Sequence, residues 1–414
     1  MATESEIRTA ARLAGDALRG MVRSIAHVHM AVADRAFDAV GPAGAPVRVT
    51  HDQISRGVYW AVGGAHALVP RAGVAVATAV PRSASSANES EQSWLASSSA
   101  VRLLAALNGM RGDLIAEQYP DLAVPMTLRH GGGDVDLDGE GLASAFPTAS
   151  SRLVIFVHGL CESDESWWRG AERDHADPPT SYGSLLHDDL GFTPVYVRYN
   201  SGLRVADNGR SLGDLVEQVV AEWPVPVEEI AFVGHSMGGL VVRSACHRGE
   251  VDGHRWPKLV SHVFCLGTPH FGAPLERGVN TAARLLARLP ETQPLATFLD
   301  NRSVGVKDLG QGLFADADWT GNDPDEFLDE RRSEVPFLPH ATYYFVGATV
   351  TRDRHHPLGR AIGDLLVQYP SASGSTDHRT LPFELDNGFH VGGLNHFDLL
   401  NHSSVYEQLK RWLT

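Results

Sequence analysis

The sequence predicts an α/β fold with a mostly parallel central sheet, helices on both faces, and an additional N-terminal helical region. Three observations predict it. From Leu153 onward, short β-branched runs alternate with helical stretches. Those runs are almost continuously apolar, as expected of strands covered on both faces. A Gly-x-Ser-x-Gly turn stands between one of them and a helix.

The composition narrows the class. A chain of 414 residues, 43% apolar and 21% charged, is globular and long enough for two or three structural units. Its 50 acidic residues against 35 basic ones give a net charge of −15, which argues against a nucleic-acid partner. Three cysteines in this length exclude a disulfide scaffold, and no Cys/His cluster has zinc spacing. The opening MATESEIRTAARLAG has no apolar stretch of the kind that marks a signal peptide. The most apolar run, Gly57 to Val80, is interrupted by His66, Pro70 and Arg71 and does not read as a membrane span. A cytoplasmic location is expected, with peripheral membrane contact left open.

The elements follow in chain order. Between residues 4 and 40, Ile7, Ala11, Ala14, Leu18, Met21, Ile25, Val28 and Val32 recur at steps of four and three. The pattern predicts a long amphipathic helix ending near Gly41–Pro42, packed within the chain or forming a homodimer seam. Its alanines favour intrachain packing. Residues 51–80 and 93–118 also read as helices, separated by the polar run Ser83–Glu91. Residues 1–120 are therefore expected to form a helical region serving as cap, dimerisation module or membrane contact, and residues 121–414 a catalytic domain.

MTLRHGGGDVDLDG, after Pro125, reads as two short strands around a glycine turn. Strands are expected at 153–157, 194–199, 230–234, 260–267 and 342–350, with a last one in FELDNGFHVG. Helices are expected at 210–222, 238–247 and 403–413. The insertion at 278–340 carries Val279, Ala283, Leu286 and Leu289 at helical spacing and lies where lids sit.

The chemistry centres on Gly234-His235-Ser236-Met237-Gly238-Gly239, between IAFV and LVVRSACH. A turn this tight puts Ser236 at strained backbone angles, and glycines at 234 and 238 leave room for neighbouring backbone. The following helix N-terminus favours developing negative charge. A serine hydroxyl needs a base to act as nucleophile. The base is sought near the C-terminus, among His390, His396 and His402. His396 is favoured because the pair Gly392-Gly393 permits a loop across the sheet edge. The orienting acid lies between Ser and His in chain order, at Asp364 or Asp353. Asp364 is favoured because its neighbours Ile362, Leu365, Leu366 and Val367 are apolar, and a buried carboxylate needs a partner such as a His N–H.

Two backbone N–H donors are needed for an oxyanion. Met237 is one. The other is assigned to Leu160, in His158-Gly159-Leu160 after the buried strand LVIFV. The competing His130-Gly131-Gly132-Gly133 reads as a hairpin turn.

Together His158-Gly159-Leu160, Gly234–Gly239, Gly267-Thr268-Pro269-His270, Gly363-Asp364 with Ser371-Ala372, and Asn395-His396-Phe397 resemble a bacterial serine esterase or lipase. The similarity is to α/β-hydrolases of the lipase and GPI inositol-deacylase-like group, over about residues 125–414. It implies the α/β-hydrolase fold, a Ser236–His396–Asp364 triad, oxyanion donors at Leu160 and Met237, and a small-molecule or lipid ester as substrate. Such relatives often read Asp-Gly-Leu-Val where this chain has Asp364-Leu365-Leu366-Val367, a departure at the position of the acid. Some bind calcium through an Asp just after the histidine. Asp398 holds that place, but capping or hydrogen bonding is its expected role, and no metal or cofactor is expected. Trp167 and Trp168 either line an acyl pocket or pack. The expected function is carboxylic-ester hydrolysis on an apolar acyl ester. The alternatives are acyl transfer by the same residues, or an idle site in a scaffold that acts through its N-terminal helices.

Overall fold

A computed structural model of the chain describes residues 98–118, 120, 123–171, 180–272, 303–315, 318, 335–376 and 379–414. The helices expected over 4–40 and 51–80, and the lid positions Val279, Ala283, Leu286 and Leu289, lie outside the described residues. In chain order the elements are α1 (Ser98–Gln118), β1 (Thr127–His130), β2 (Gly133–Asp134), α2 (Gly139–Ala145), β3 (Arg152–Val157), α3 (Tyr182–Leu190), β4 (Thr193–Arg198) and α4 (Val205–Glu222). They continue with β5 (Glu229–His235), α5 (Met237–Val251), β6 (Val260–Leu266), α6 (Val304–Gln311), β7 (Thr342–Thr349), α7 (Pro357–Ile362), α8 (Tyr369–Ala372), β8 (Gly388–Gly392) and α9 (Ser403–Leu413).

Among the described residues the strands form one eight-stranded sheet in the order β2-β1-β4-β3-β5-β6-β7-β8. β1 runs antiparallel to β2 and β4, and every later pairing is parallel. This is the mostly parallel, doubly covered sheet that the sequence predicts. The glycine-rich His130–Gly133 stretch is the β1–β2 hairpin, with Gly131 and Gly132 at φ of 57° and 82°.

Strand periodicity separates two cores. Ile155 and Val157 of β3 and Phe232 of β5 face one side, where they pack with Leu212 and Val216 of α4 and Leu240 and Val241 of α5. Val154, Phe156, Ala231 and Val233 face the other, with Tyr182 and Leu186 of α3 and Val405 and Leu409 of α9. Both faces being dry explains why these strands read as unbroken apolar runs rather than alternating ones.

The register positions the site. Val157 lies opposite Gly234, His235 opposite Leu266, and Leu266 opposite Val346. The C-terminal ends of β3, β5 and β6 are thereby level to within a residue, and β7 runs three residues further, to Thr349. β4 and β5 flank β3 on opposite sides, so the chain leaves β3 and β5 toward opposite faces, and a crevice opens between their following loops.

Two helices run longer than their apolar spacing predicts. α4 starts at Val205 instead of 210 because buried Val205 and Ala206 extend its core face, and the Val205 N–H donates to Asp308 Oδ2 at 2.7 Å. A cap supplied from a hundred residues away leaves no local mark. α5 continues to Val251, beyond the expected 247, and its C-terminal Asp252 N–H bonds back to Arg248 and Glu250. No described helix is long and apolar enough to cross a membrane.

Phe232, fully buried on the central strand and edge-on to Trp256 at 5.6 Å, is the test of this packing. Phe232→Ala is expected to destabilise the fold by about 3–5 kcal/mol, read as a lower urea midpoint at unchanged slope.

Candidate active site

β5 ends at His235 and α5 begins at Met237, so Ser236 alone makes the turn between them, at φ 53° and ψ −122°. These angles are costly for any residue with a side chain and persist only where the surroundings hold them. Here the Ser236 N–H donates to Leu266 O at 2.8 Å, tying the turn to the end of β6. The flanking glycines let the turn close. A Cβ on Gly234 would fall 2.6 Å from Gly239 Cα, and one on Gly238 would fall 2.1 Å from Val157 O.

The loop after β3 is held as tightly. The buried His158 ring stacks on Tyr199 with centroids 4.3 Å apart. Its Nδ1 lies 2.9 Å from Gly159 O, and its Nε2 accepts from the Tyr199 N–H at 3.3 Å. That pattern fits a neutral ring protonated at Nδ1, and burial holds its pKa below the usual value despite the opposing carbonyl and carboxylates nearby. The Gly159 N–H donates to Glu162 Oε2 at 2.7 Å. Both polar groups of Gly159 are therefore fixed, and Leu160 follows directly. The site a Cβ would occupy on Gly159 is 3.0 Å from Ser236 Cβ, which places this loop against the serine.

Cys161 takes a φ of 60°, and its N–H donates to Ser201 Oγ at 3.0 Å. Burial, with Glu162 adding to it, pushes the thiol up to about 11, so it stays protonated and is a poor nucleophile at neutral pH. Trp167 is buried against Phe156 at 4.9 Å and packs. Trp168 is half exposed and lies over Tyr196 at 4.7 Å.

The loops after β7 and β8 bring the acid and the imidazole together. His396 Nδ1 lies 2.7 Å from Asp364 Oδ2, and the His396 N–H donates to Asp364 O at 2.9 Å. The second carboxylate oxygen of Asp364 accepts from the N–H groups of Leu366 at 3.0 Å and Val367 at 2.8 Å. Both side chains are buried. Burial by itself would lower the His396 pKa, but the charge and hydrogen bond of Asp364, with the more distant charge of Glu162, outweigh it and raise the pKa. The His396 ring also lies over Gly267 at the end of β6. A Cβ there would be 3.0 Å from His396 Cε1, so the ring stands beside the strand that holds the Ser236 turn.

The alternatives lie elsewhere. Asp353 is exposed and accepts from the His355 N–H at 2.9 Å. His390 Nε2 pairs with Thr349 Oγ1 at 2.8 Å, and His402 caps α9 by accepting from the Ser404 N–H. Asp398 accepts from the Asn395 backbone N–H at 3.0 Å and from the Asn395 side-chain amide, closing a capping box that presents His396. Among the described residues no group of three or more His, Cys, Asp or Glu is placed to hold a metal ion.

The departure at Leu365 has a structural meaning. Leu365 adopts φ 88° and is 55% exposed. The chain turns through the left-handed region directly after the acid, where glycine is free to go and leucine is strained.

Residue reasoning from sequence missed Glu162. Its buried carboxylate also faces His235 Nδ1 at 3.0 Å, and His235 Nε2 lies 3.1 Å from the carbonyl oxygen of His396. Burial would raise the Glu162 pKa, but the His235 charge and hydrogen bond, with the Gly159 N–H, hold it below the usual carboxylate range. An acid placed four residues after His158 in Cys161-Glu162-Ser163-Asp164 was the available signal.

Residues 147–311 match the family described as "Putative serine esterase (DUF676)". Over that stretch the chain is similar to serine esterases. The match, which spans the strand–turn–helix of Ser236 and the loop of Leu160, supports a hydrolase of ester bonds. No curated protein matches the chain. Solved structures similar to it include the mature form of Bacillus licheniformis lipase BlEst2, at 20% identity and a TM-score of 0.41, covering 64% of this chain and 92% of that one. Lipase 1 from Pelosinus fermentans is 15% identical with a TM-score of 0.39, covering 64% of this chain and 98% of that one. A lipase-esterase related protein from Clostridium acetobutylicum is 14% identical with a TM-score of 0.34, covering 63% and 94%.

Two outcomes are expected of the Asp364 loop. In ¹⁵N-histidine spectra His396 titrates above the ordinary value of 6.5, and Asp364→Asn moves that titration down, because the raising charge goes and burial stays. Leu365→Gly relieves the left-handed strain with little loss of burial and raises stability by about 1 kcal/mol in urea unfolding.

Proposed function

We propose that the protein is a serine carboxylic-ester hydrolase acting on esters with an apolar acyl group, through Ser236, His396 and Asp364. The observation that carries this reading is the buried 2.7 Å contact of His396 Nδ1 with Asp364 Oδ2 at the sheet edge where Ser236 turns at positive φ.

In the proposed steps Asp364 fixes the tautomer: with Nδ1–H donated to its carboxylate, Nε2 is left to accept a proton. His396 takes the Ser236 hydroxyl proton as the oxygen attacks the carbonyl carbon. The developing oxyanion is stabilised by the Leu160 and Met237 N–H groups, aided by the N-terminus of α5. The imidazolium then protonates the leaving alkoxide, giving the alcohol and an acyl-Ser236. Water, deprotonated by His396, attacks the acyl carbon. A second tetrahedral intermediate collapses, the proton returns to Ser236, and the carboxylic acid leaves.

The reading is tested with a chain-length series of p-nitrophenyl esters. Ser236→Ala is expected to lower kcat/KM by on the order of 10⁴-fold or more, and a fluorophosphonate probe to label wild type but not the variant. Hydrolysis retained by Ser236→Ala overturns it. Only neutral His396 accepts a proton, so kcat/KM falls as pH drops through its pKa. Because that pKa is raised, the acid limb is expected above 6.5.

A further inference from the structure

The hydrogen bonds around His235 leave little choice of proton state. Its Nε2 faces the carbonyl oxygen of His396, which only accepts, so Nε2 carries a proton. Its Nδ1 faces Glu162 Oε2, and that oxygen also accepts from the Gly159 N–H. Against its burial, the surrounding charge and the Gly159 N–H hold the Glu162 carboxyl below the usual range, so it is ionised, and an ionised oxygen 3.0 Å away calls for a proton on Nδ1 as well. The ring packs beside the His396 ring with centroids 4.7 Å apart and edge-on to Trp167 at 6.4 Å.

The position of the pair gives it a function. Glu162 grips the Gly159 N–H in the loop that carries Leu160, while His235 grips the backbone of His396 itself. Two loops separated by more than two hundred residues are joined through one carboxylate and one ring. There is also a charge problem to solve. The site of a Gly159 Cβ lies 3.0 Å from Ser236 Cβ and 3.1 Å from Glu162 Oε2, so one methyl-sized gap separates the carboxylate from the nucleophile. A lone anion so close would oppose the negative charge that forms on the substrate oxygen.

We propose that Glu162 and His235 form a buried carboxylate–imidazolium pair that locks the Leu160 loop to the His396 loop and keeps the net charge beside the oxyanion near zero. They are positioning residues for the reaction read at Ser236, and the proposal rests on that reading. Neither touches the ester. Glu162 acts through Gly159, and His235 through His396 and by neutralising Glu162.

Steady-state hydrolysis of a p-nitrophenyl ester by wild type, Glu162→Gln, His235→Gln and the double variant tests it. His235→Gln leaves the carboxylate unpaired and is expected to lower kcat on the order of 10²-fold, with KM changed less than about threefold. The double variant, which has no charge to neutralise, is expected to regain about tenfold or more of that loss. A residue that merely packs shows no such recovery. A double variant no faster than His235→Gln, or a His235→Gln with wild-type kcat, overturns the proposal. A measurement on wild type alone guards against variants that fail to fold: ¹⁵N-histidine spectra are expected to show both His235 nitrogens protonated at neutral pH, and a neutral ring overturns the pair. A wild-type protein inert to both ester and fluorophosphonate overturns the esterase reading itself, and with it the role given to these residues, before any variant is made.

Discussion

A serine held at φ 53° between a buried strand and a buried helix is a strained piece of backbone, and the surrounding architecture supplies what keeps it there. The Ser236 N–H is engaged by the end of β6, and glycines at 234 and 238 let α5 and the end of β3 come within backbone contact. The level ends of the parallel strands follow from the same register. Once they are level, loops from β3, β7 and β8 converge on one edge without long excursions. Loosening that bend would leave those loops with nothing to converge on.

Around the bend the protein buries two carboxylates and supports each in the same way. Asp364 accepts from two backbone N–H groups and an imidazole, and Glu162 from one backbone N–H group and an imidazole. A buried charge without such partners costs several kcal/mol, so these hydrogen bonds are what make ionised acids tolerable there. The two imidazoles lie against each other, yet they are used differently. One needs an open nitrogen, while the other has both nitrogens occupied.

Much of this was legible in the residues. Dry strands on a doubly covered sheet announce themselves as apolar runs, and β3 to β7 fall within a residue or two of where those runs lie. Ser236, His396 and Asp364 were singled out from chain order and from what each side chain requires of its surroundings, and the structure brings the last two into contact. The apolar neighbours of Asp364 match its burial beside His396, while Asp353 is exposed. Other features leave no local trace. The start of α4 depends on Asp308, and the hold of Glu162 on Gly159 and His235 depends on how three loops fold. The Asp364-Leu365 departure from the pattern of similar lipases is visible in the sequence, but its backbone consequence is not. Leu365 there makes a left-handed backbone turn at some cost.

Helix α1 packs against the α/β fold. A Cβ on Gly109 would run into Cys161, and one on Gly112 into Asn200, so the helix backbone lies directly on the loops that follow β3 and β4. The Asn200 side chain donates to Gly112 O, the Ser303 hydroxyl to Gly109 O, and the Val304 N–H to Asp113. An expression fragment begun at residue 121 would therefore uncover the back of the Leu160 loop and orphan several buried polar groups. A fragment that keeps these contacts has to include α1, from Ser98.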